Sequence, residues 1–212
     1  MFQKMIDWLD LRLGVKDFYE KQFAFIIPLE VLSIWTLFSG LTIGCILIQF
    51  ITGFYMIMFY VPVPDLAHES IKAMCNTTTF GALFRNMHRY SSTLGIFFIL
   101  IHAAHVMARG AYKTPKELNW WVGMIMAILF TLLLISGIIV PWDWRSYWEL
   151  IIWADWFGYI PLVGDWLKEL VLSSFTLGRN YAIHIVLLPV LLIGFLVLHI
   201  VLVRRLGLST RV

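Results

Sequence analysis

The sequence is poor in charged residues and in cysteine, and both shortages narrow the class of protein. Only 14% of the 212 residues are Asp, Glu, Lys or Arg, whereas 60% are hydrophobic and the mean hydropathy is +0.83. Soluble domains carry about 25% charged residues, so this composition excludes an ordinary soluble fold. The two cysteines, Cys45 and Cys75, form neither a CxxC pair nor a CxxCH haem-attachment motif.

Several other signals are also missing. The net charge is only +3, and the basic residues do not interleave with aromatic residues, which argues against nucleic acid as a partner. No Ser- or Gly-rich linker and no internal repeat divides the chain, so residues 1–212 are predicted to form one domain. Residues 1–30 lack the pattern of a removable signal peptide but repeat apolar residues at helical spacing, which indicates an amphipathic N-terminal arm.

The sequence does contain long apolar runs. A helix needs roughly 20 apolar residues to cross the hydrocarbon core of a membrane, and four segments reach that length. They are the first span at about 32–60, the second at 81–108, the third at 119–140 and the fourth at 181–203. The predicted fold class is all-α, an integral membrane four-helix bundle.

The charges between the spans predict the orientation of the bundle. Lys and Arg are concentrated in the N-terminal arm, in the loop between the second and third spans, and in the tail, whereas the other two connections are rich in Asp and Glu. Cytoplasmic segments carry the excess of basic residues. Both termini are therefore expected on the cytoplasmic side.

Histidines inside the spans are the strongest functional signal, because an ionisable group in a membrane is costly. Fourteen positions separate the two histidines of one pair in the second span, and fifteen separate a pair in the fourth. At 1.5 Å and 100° per residue, both pairs are about 21–22 Å apart along one helix face. The second and fourth spans run in the same direction, so two bis-histidine sites are predicted at different depths, which suits two six-coordinate haems. The four residues are His88, His102, His184 and His199.

Small and basic residues near these histidines fit the same interpretation. Gly123 and Gly137 are 14 positions apart in the third span, and Gly53 follows Ser39 or Gly40 by 14 or 13 in the first. These positions would let a flat ring approach the helices, although glycine also serves ordinary helix packing in membranes. Two arginines at the level of the first histidines, Arg85 and Arg179, could pair with haem propionates or reach to water.

Four stretches of sequence, two of them each followed by a further histidine, resemble one family. They are FGALFRNMHRYS, followed by His102; GAYKTPKELNW; PWDWRSYW; and TLGRNYAIHIVLLPV, followed by His199. Over about residues 25–212 the chain resembles cytochrome b of the bc and b6f quinol-oxidising complexes. Its four spans and the 15-position spacing are more similar to the split b6 form than to the eight-helix form.

The resemblance implies two haem b groups, held by His88 with His184 near the positive side and by His102 with His199 near the negative side. It implies electron transfer from a quinol-oxidising site to a quinone-reducing site, coupled to proton translocation, in a bacterial inner or equivalent energy-transducing membrane. The implied partners are a Rieske iron–sulfur protein, a c-type cytochrome and a separate subunit with the remaining cytochrome b helices, in a dimeric complex. Residues of the two quinone sites would be Pro141, Trp142, Asp143 and Tyr147 on the positive side and Arg204 on the other.

The sequence departs from the family at three positions. Leu37 stands where the b6 form has the cysteine of an additional covalent haem, so no thioether-linked haem is predicted. Cys45, about 12 Å further along the helix, is expected to pack as a small apolar residue. His105 replaces the usual arginine, and three roles stay open for it: pairing with a haem propionate, proton uptake at the quinone site, or simply capping the bundle. Ser39 occupies a position, 14 before Gly53, where the family usually has a smaller residue.

Two other classes of protein share some of these features. The first is the quinone-reducing cytochrome b anchor of a hydrogenase or formate dehydrogenase, which would lack a Rieske partner and the PWDWRSYW stretch. The second is a metal-free transporter that uses buried histidines as a proton relay, and it would absorb no visible light.

Overall fold

The computed structural model describes residues 34–174 and 176–206, and every regular element within them is helical. The N-terminal arm predicted at 1–30 lies outside the described residues. In chain order the helices are α1 (Ile34–Ile57), α2 (Pro64–Thr77), α3 (Gly81–Ala108), α4 (Glu117–Ile139), α5 (Trp144–Gly158), α6 (Gly164–Ser174), α7 (Leu177–Ala182) and α8 (Leu188–Leu206). A single π-helical turn, Ile183–Leu187, joins α7 to α8.

Four stretches among the described residues are long and apolar enough to cross a membrane, which confirms the predicted fold class. They are Leu37–Ile57, Gly81–Ala108, Glu117–Ile139 and Leu177–Leu206. At most 28% of the most apolar window in each stretch is buried inside the chain. Helices that are apolar on every side and still exposed need a non-aqueous environment, which the hydrocarbon core of a bilayer provides.

The connections contain more helix than the sequence predicted. The connection after α1 was read as a loop, but Pro64 occupies the first turn of α2 and Asp65 follows it there. Proline is favoured at a helix start because the first N–H groups have no partner in the helix. The long connection before the fourth span forms α5 and α6, and that span begins at Leu177 rather than at 181.

An apolar core lies at mid-depth between the four spans. Its buried residues are Ile46 of α1, Leu129 and Phe130 of α4, and Leu188 and Leu192 of α8. Near it, a methyl group at Gly95 of α3 would lie 2.6 Å from the Phe130 ring, so the absence of a side chain lets the two helices approach. The core separates the two levels at which the histidines lie.

Candidate functional site

His88 of α3 faces His184 of the π turn, and these two residues form the first tier. Their ring centroids are 6.3 Å apart and the planes are inclined by 68°. When a metal ion is bound between two imidazoles, the distance between the ring centroids is the sum of two metal–nitrogen bonds of about 2 Å and the distance from nitrogen to centroid in each ring. The observed separation is close to that sum. The first tier therefore has room for one ion bound on opposite sides.

His102 of α3 and His199 of α8 form the second tier, and they lie close enough to interact electrostatically. No group of three or more His, Cys, Asp or Glu side chains among the described residues could hold a metal ion. Two imidazoles leave most of an ion's coordination positions free. A ring that brings its own four donors, such as a porphyrin, fits this donor set.

Hydroxyl groups of neighbouring helices hold the histidine rings. Thr52 Oγ1 is 2.9 Å from Nδ1 of His88, and Ser136 Oγ is 2.9 Å from Nδ1 of His184. Both hydroxyls also donate to carbonyls of their own helices, at 2.6 Å and 2.8 Å. Since each hydroxyl proton is used there, each oxygen is left to accept from Nδ1–H. The lone pair of Nε2 is then available as a metal ligand.

In the second tier a hydroxyl group contacts one of the two histidine rings. Ser39 Oγ lies 2.8 Å from Nδ1 of His102. Ser39 therefore adds a hydrogen bond at a position where the family usually has a smaller residue. Nδ1 of His199 is buried and has no hydroxyl partner among the described residues; His199 interacts with the backbone of Asn119 instead. The two tiers thus differ in the groups that contact their rings: hydroxyls contact both histidines of the first tier and one histidine of the second.

The predicted small residues lie against these rings. A Cβ atom would lie 3.4 Å from Cε1 of His88 at Gly53, 3.5 Å from Cε1 of His199 at Gly123, and 2.9 Å from Cε1 of His184 at Gly137. Gly40 faces open space. Of the two alternatives in the first span, Ser39 is therefore the one that meets a histidine.

Buried polar groups behind the first tier were not predicted. Gln49 Nε2 donates to the carbonyl of His88 at 2.5 Å and to Ser91 Oγ at 2.6 Å, which fixes α1 to α3. Asn180 is fully buried and donates to the carbonyl of Ser136 at 2.9 Å. The available signal was the presence of Gln and Asn among apolar residues, since such groups need partners in a membrane.

The PWDWRSYW stretch turns sharply at the end of α4. Trp142 has a positive φ of 48°, and Asp143 caps α5 by accepting from the backbone N–H and the hydroxyl of Ser146, each at 2.8 Å. Burial alone would raise the pKa of Asp143, but the Ser146 hydrogen bonds outweigh it and hold the pKa below its usual value. Tyr60 donates to the carbonyl that precedes Pro141, that of Val140, at 2.6 Å.

The remaining residues that were predicted for the quinone sites and the haem propionates lie at or beyond the ends of the spans. Tyr147 is exposed on α5, one turn after Asp143, and Arg204 lies in the last turn of α8. Arg85 lies in the second turn of α3 and is half-buried. Arg179 donates to the carbonyl of Ser173 at 2.9 Å, so it is partly used in joining α7 to α6.

The residues at which the sequence departs from the family are also placed. Leu37 is exposed on α1, and Cys45 is buried beside Gly95 of α3, where it packs as a small apolar residue. His105 stacks in parallel on Trp35, with ring centroids 5.7 Å apart. This stacking adds a packing role for His105.

Comparisons with known proteins show the family to which the chain belongs. Residues 24–207 match the family model described as Cytochrome b/b6/petB. The chain is 36% identical to cytochrome b6 of Synechococcus sp. (strain JA-3-3Ab), over 97% of this chain and 98% of that one. It is 32% identical to cytochrome b6 of Heliobacterium mobile, over 96% and 99%.

A solved structure gives the same result. A chain of a hyperthermophilic respiratory Complex III superposes with a TM-score of 0.85 and 27% identity. The match covers 96% of this chain and 55% of the length of the other. The protein therefore belongs to the cytochrome b/b6 family, as a haem b-binding membrane subunit of a bc- or b6f-like complex.

Proposed function

We propose that the chain binds two haem b groups, each between the paired histidines of one tier. His88 with His184 and His102 with His199 are the ligands. The observation that carries the proposal is the hydrogen bonding of the first tier, where Thr52 and Ser136 accept from Nδ1 and leave Nε2 to the iron. No thioether link is proposed at Leu37.

The two tiers are the means by which the chain moves electrons across the membrane. Haem supplies a one-electron carrier at each tier. The histidines of α3 are 14 positions apart, which is about 21 Å of helix rise. The apolar core between the tiers excludes water from the space that an electron would cross. The chain thereby joins a quinol-oxidising site on one face to a quinone-reducing site on the other, with proton release and uptake on opposite faces.

The turn after α4 is proposed to form this chain's part of the quinol-oxidising pocket. Pro141, Trp142, Asp143 and Tyr147 supply its wall, and the Asp143 cap holds α5 in place beside it. Arg204 serves the quinone-reducing site at the other end of α8. Arg85 and Arg179 provide guanidinium groups for haem propionates at the first tier.

The loop charges support an orientation with both termini in the cytoplasm and the first tier near the positive side. A Rieske iron–sulfur protein would receive one electron of each quinol there and pass it to a c-type cytochrome. A separate subunit would supply the remaining cytochrome b helices, and the assembly would be dimeric. In this arrangement residues 1–212 form the b6-like domain, with an N-terminal amphipathic arm at 1–30.

Single substitutions in the purified assembly test the ligand assignment. His88→Leu, His102→Leu, His184→Leu and His199→Leu should each remove one haem and leave the other spectrally recognisable. The matched controls His68→Leu and His105→Leu should keep both. Equal haem loss in a control would show that the ligands are wrongly assigned.

The same preparation tests the reaction. An assembly that reduces cytochrome c with quinol supports the proposal. One that reduces quinone with electrons from hydrogen or formate, and contains no Rieske protein, supports the anchor subunit of a hydrogenase or formate dehydrogenase instead.

A further inference from the structure

The spacing of the histidines differs between the two helices that carry them. His88 and His102 are 14 positions apart in α3, but His184 and His199 are 15 apart in the fourth span. In an unbroken α-helix 14 positions end about 40° short of four whole turns, and 15 positions end about 60° beyond them. Each interval keeps its two histidines on one broad face of the helix, but the two intervals differ by about 100° of rotation and 1.5 Å of rise. A regular fourth span would therefore turn one of its histidines away from the direction that the other helices require.

The other three spans share the 14-position interval. Gly123 and Gly137 of α4, which lie against His199 and His184, are 14 apart, and so are Ser39 and Gly53 of α1. Both of these helices are regular α-helices along their whole length. On three helices the residues of the two tiers are thus 14 positions apart. The fourth span has to reach the same two tiers although its histidines are 15 positions apart.

The backbone of the fourth span contains the adjustment. The N–H of Leu188 bonds to the carbonyl of Ile183, five residues back rather than four, so one π turn spans Ile183–Leu187. Such a turn takes in one residue more than an α turn, and the helix beyond it continues as if that residue were absent. His184 lies inside this turn, between the two regular helices.

We infer that the π turn at Ile183–Leu187 is a register element that lets 15 positions on the fourth span serve two haem sites set 14 positions apart. It positions His184 and His199 against Gly137 and Gly123 at the same time. The inference rests on the proposed pairing of these histidines as haem ligands. Its consequence is that the chain can lose one residue from the turn and keep both sites.

Matched single-residue deletions test the inference in the purified assembly. Val186, in the π turn, and Leu94, in α3, are aliphatic residues with exposed fractions of 56% and 48%, and each lies between the two histidines of its span. Deletion of Val186 should convert the turn into α-helix and leave two haems per chain. Deletion of Leu94 leaves 13 positions with no π turn to remove, so one of the two haems should be lost.

Haem per polypeptide and the reduced-minus-oxidised spectrum distinguish the outcomes. Loss of one haem on deletion of Val186 would overturn the inference, and so would two retained haems in both deletion variants. A wild-type chain without two haems would instead contradict the proposed function.

A structure of the wild-type assembly with its haems bound gives a second test that does not depend on the folding of a variant. The bond from Leu188 N–H to the Ile183 carbonyl should be present. An unbroken α-helix through residues 183–187 would overturn the inference.

Discussion

A methyl group added at Gly137 would press directly on the ring of His184. In the structure a Cβ at this position would lie 2.9 Å from Cε1 of His184, well inside the roughly 3.5–4.0 Å of favourable carbon–carbon contact. The ring therefore has to move by about 0.5 Å or more. A metal ligand must hold its distance to about 0.2 Å, so we expect Gly137→Ala to disturb the first tier selectively.

The size of the effect follows from the confinement of the ring. Ser136, the neighbour of Gly137 in α4, is hydrogen-bonded to Nδ1 of His184. The His184 ring therefore cannot move away from Gly137 without breaking that hydrogen bond. Inserting one carbon into a close-packed site costs about 1–3 kcal/mol. Since every 1.4 kcal/mol is a factor of ten, haem affinity at the first tier should fall about 5- to 150-fold.

The assay is haem per polypeptide, measured as pyridine haemochrome, together with the reduced-minus-oxidised spectrum. The control is Gly194→Ala on the fourth span, where a Cβ would meet nothing within 4 Å. Gly123→Ala, at 3.5 Å from His199, should have a smaller effect on the second tier. Wild-type haem content and spectrum in Gly137→Ala, or equal loss in Gly194→Ala, would refute the reasoning.

Three further variants probe the groups around the tiers. Ser136→Ala should lower haem affinity at the first tier by about 10- to 100-fold, as the loss of a hydrogen-bond partner of a metal-ligating histidine does. The control is Thr131→Ala, whose hydroxyl donates to the Ala127 carbonyl of its own helix; it should leave haem retention unchanged. Asp143→Ala should cost about 0.5–2 kcal/mol as the loss of an N-cap. Because the folded pKa of Asp143 is lowered, its contribution is present above the unfolded value of about 3.9 and is lost as the pH falls through the folded pKa. Amide exchange in α5 should show that pH dependence in the wild type and not in the variant. Tyr60→Phe removes the hydrogen bond to the Val140 carbonyl, next to Pro141 of the proposed quinol-oxidising pocket. It should slow quinol oxidation about fivefold, the value of one hydrogen bond, with both haems retained. An unchanged rate would exclude a role for the bond from Tyr60 to Val140.

The spans and the four histidines were accessible from the sequence because both signals are local. Twenty consecutive apolar residues indicate a membrane helix, and the direction of a side chain on a helix follows from counting positions. The interval between His88 and His102 therefore predicted a shared face without any knowledge of the neighbouring helices.

Features that depend on contacts between helices were not predictable in this way. The first span offered Ser39 and Gly40 as alternatives, and only the distance to His102 distinguishes them. The hydroxyls of Thr52 and Ser136 gave no sequence signal, since such residues commonly bond to their own helix. The π turn was also missed, because the sequence of Ile183–Leu187 does not differ from that of ordinary apolar helix.

The connecting helices were missed for a related reason. A search for long apolar runs does not detect α2, which has charged residues on one side. The prolines before it were interpreted as ending the first span, whereas Pro64 also begins the next helix. For α5, the N-cap pattern of Asp143 followed three residues later by Ser146 was available but was assigned to the quinone site alone.

The most direct test of the two-haem account is a haem count on the wild-type chain purified in its membrane assembly. A dithionite-reduced minus oxidised spectrum with a pyridine haemochrome assay should give two b-type haems per chain, both extractable by acidified acetone. One haem or none would contradict the assignment of the two tiers, and a haem that stays covalently attached after extraction would contradict the prediction for Leu37.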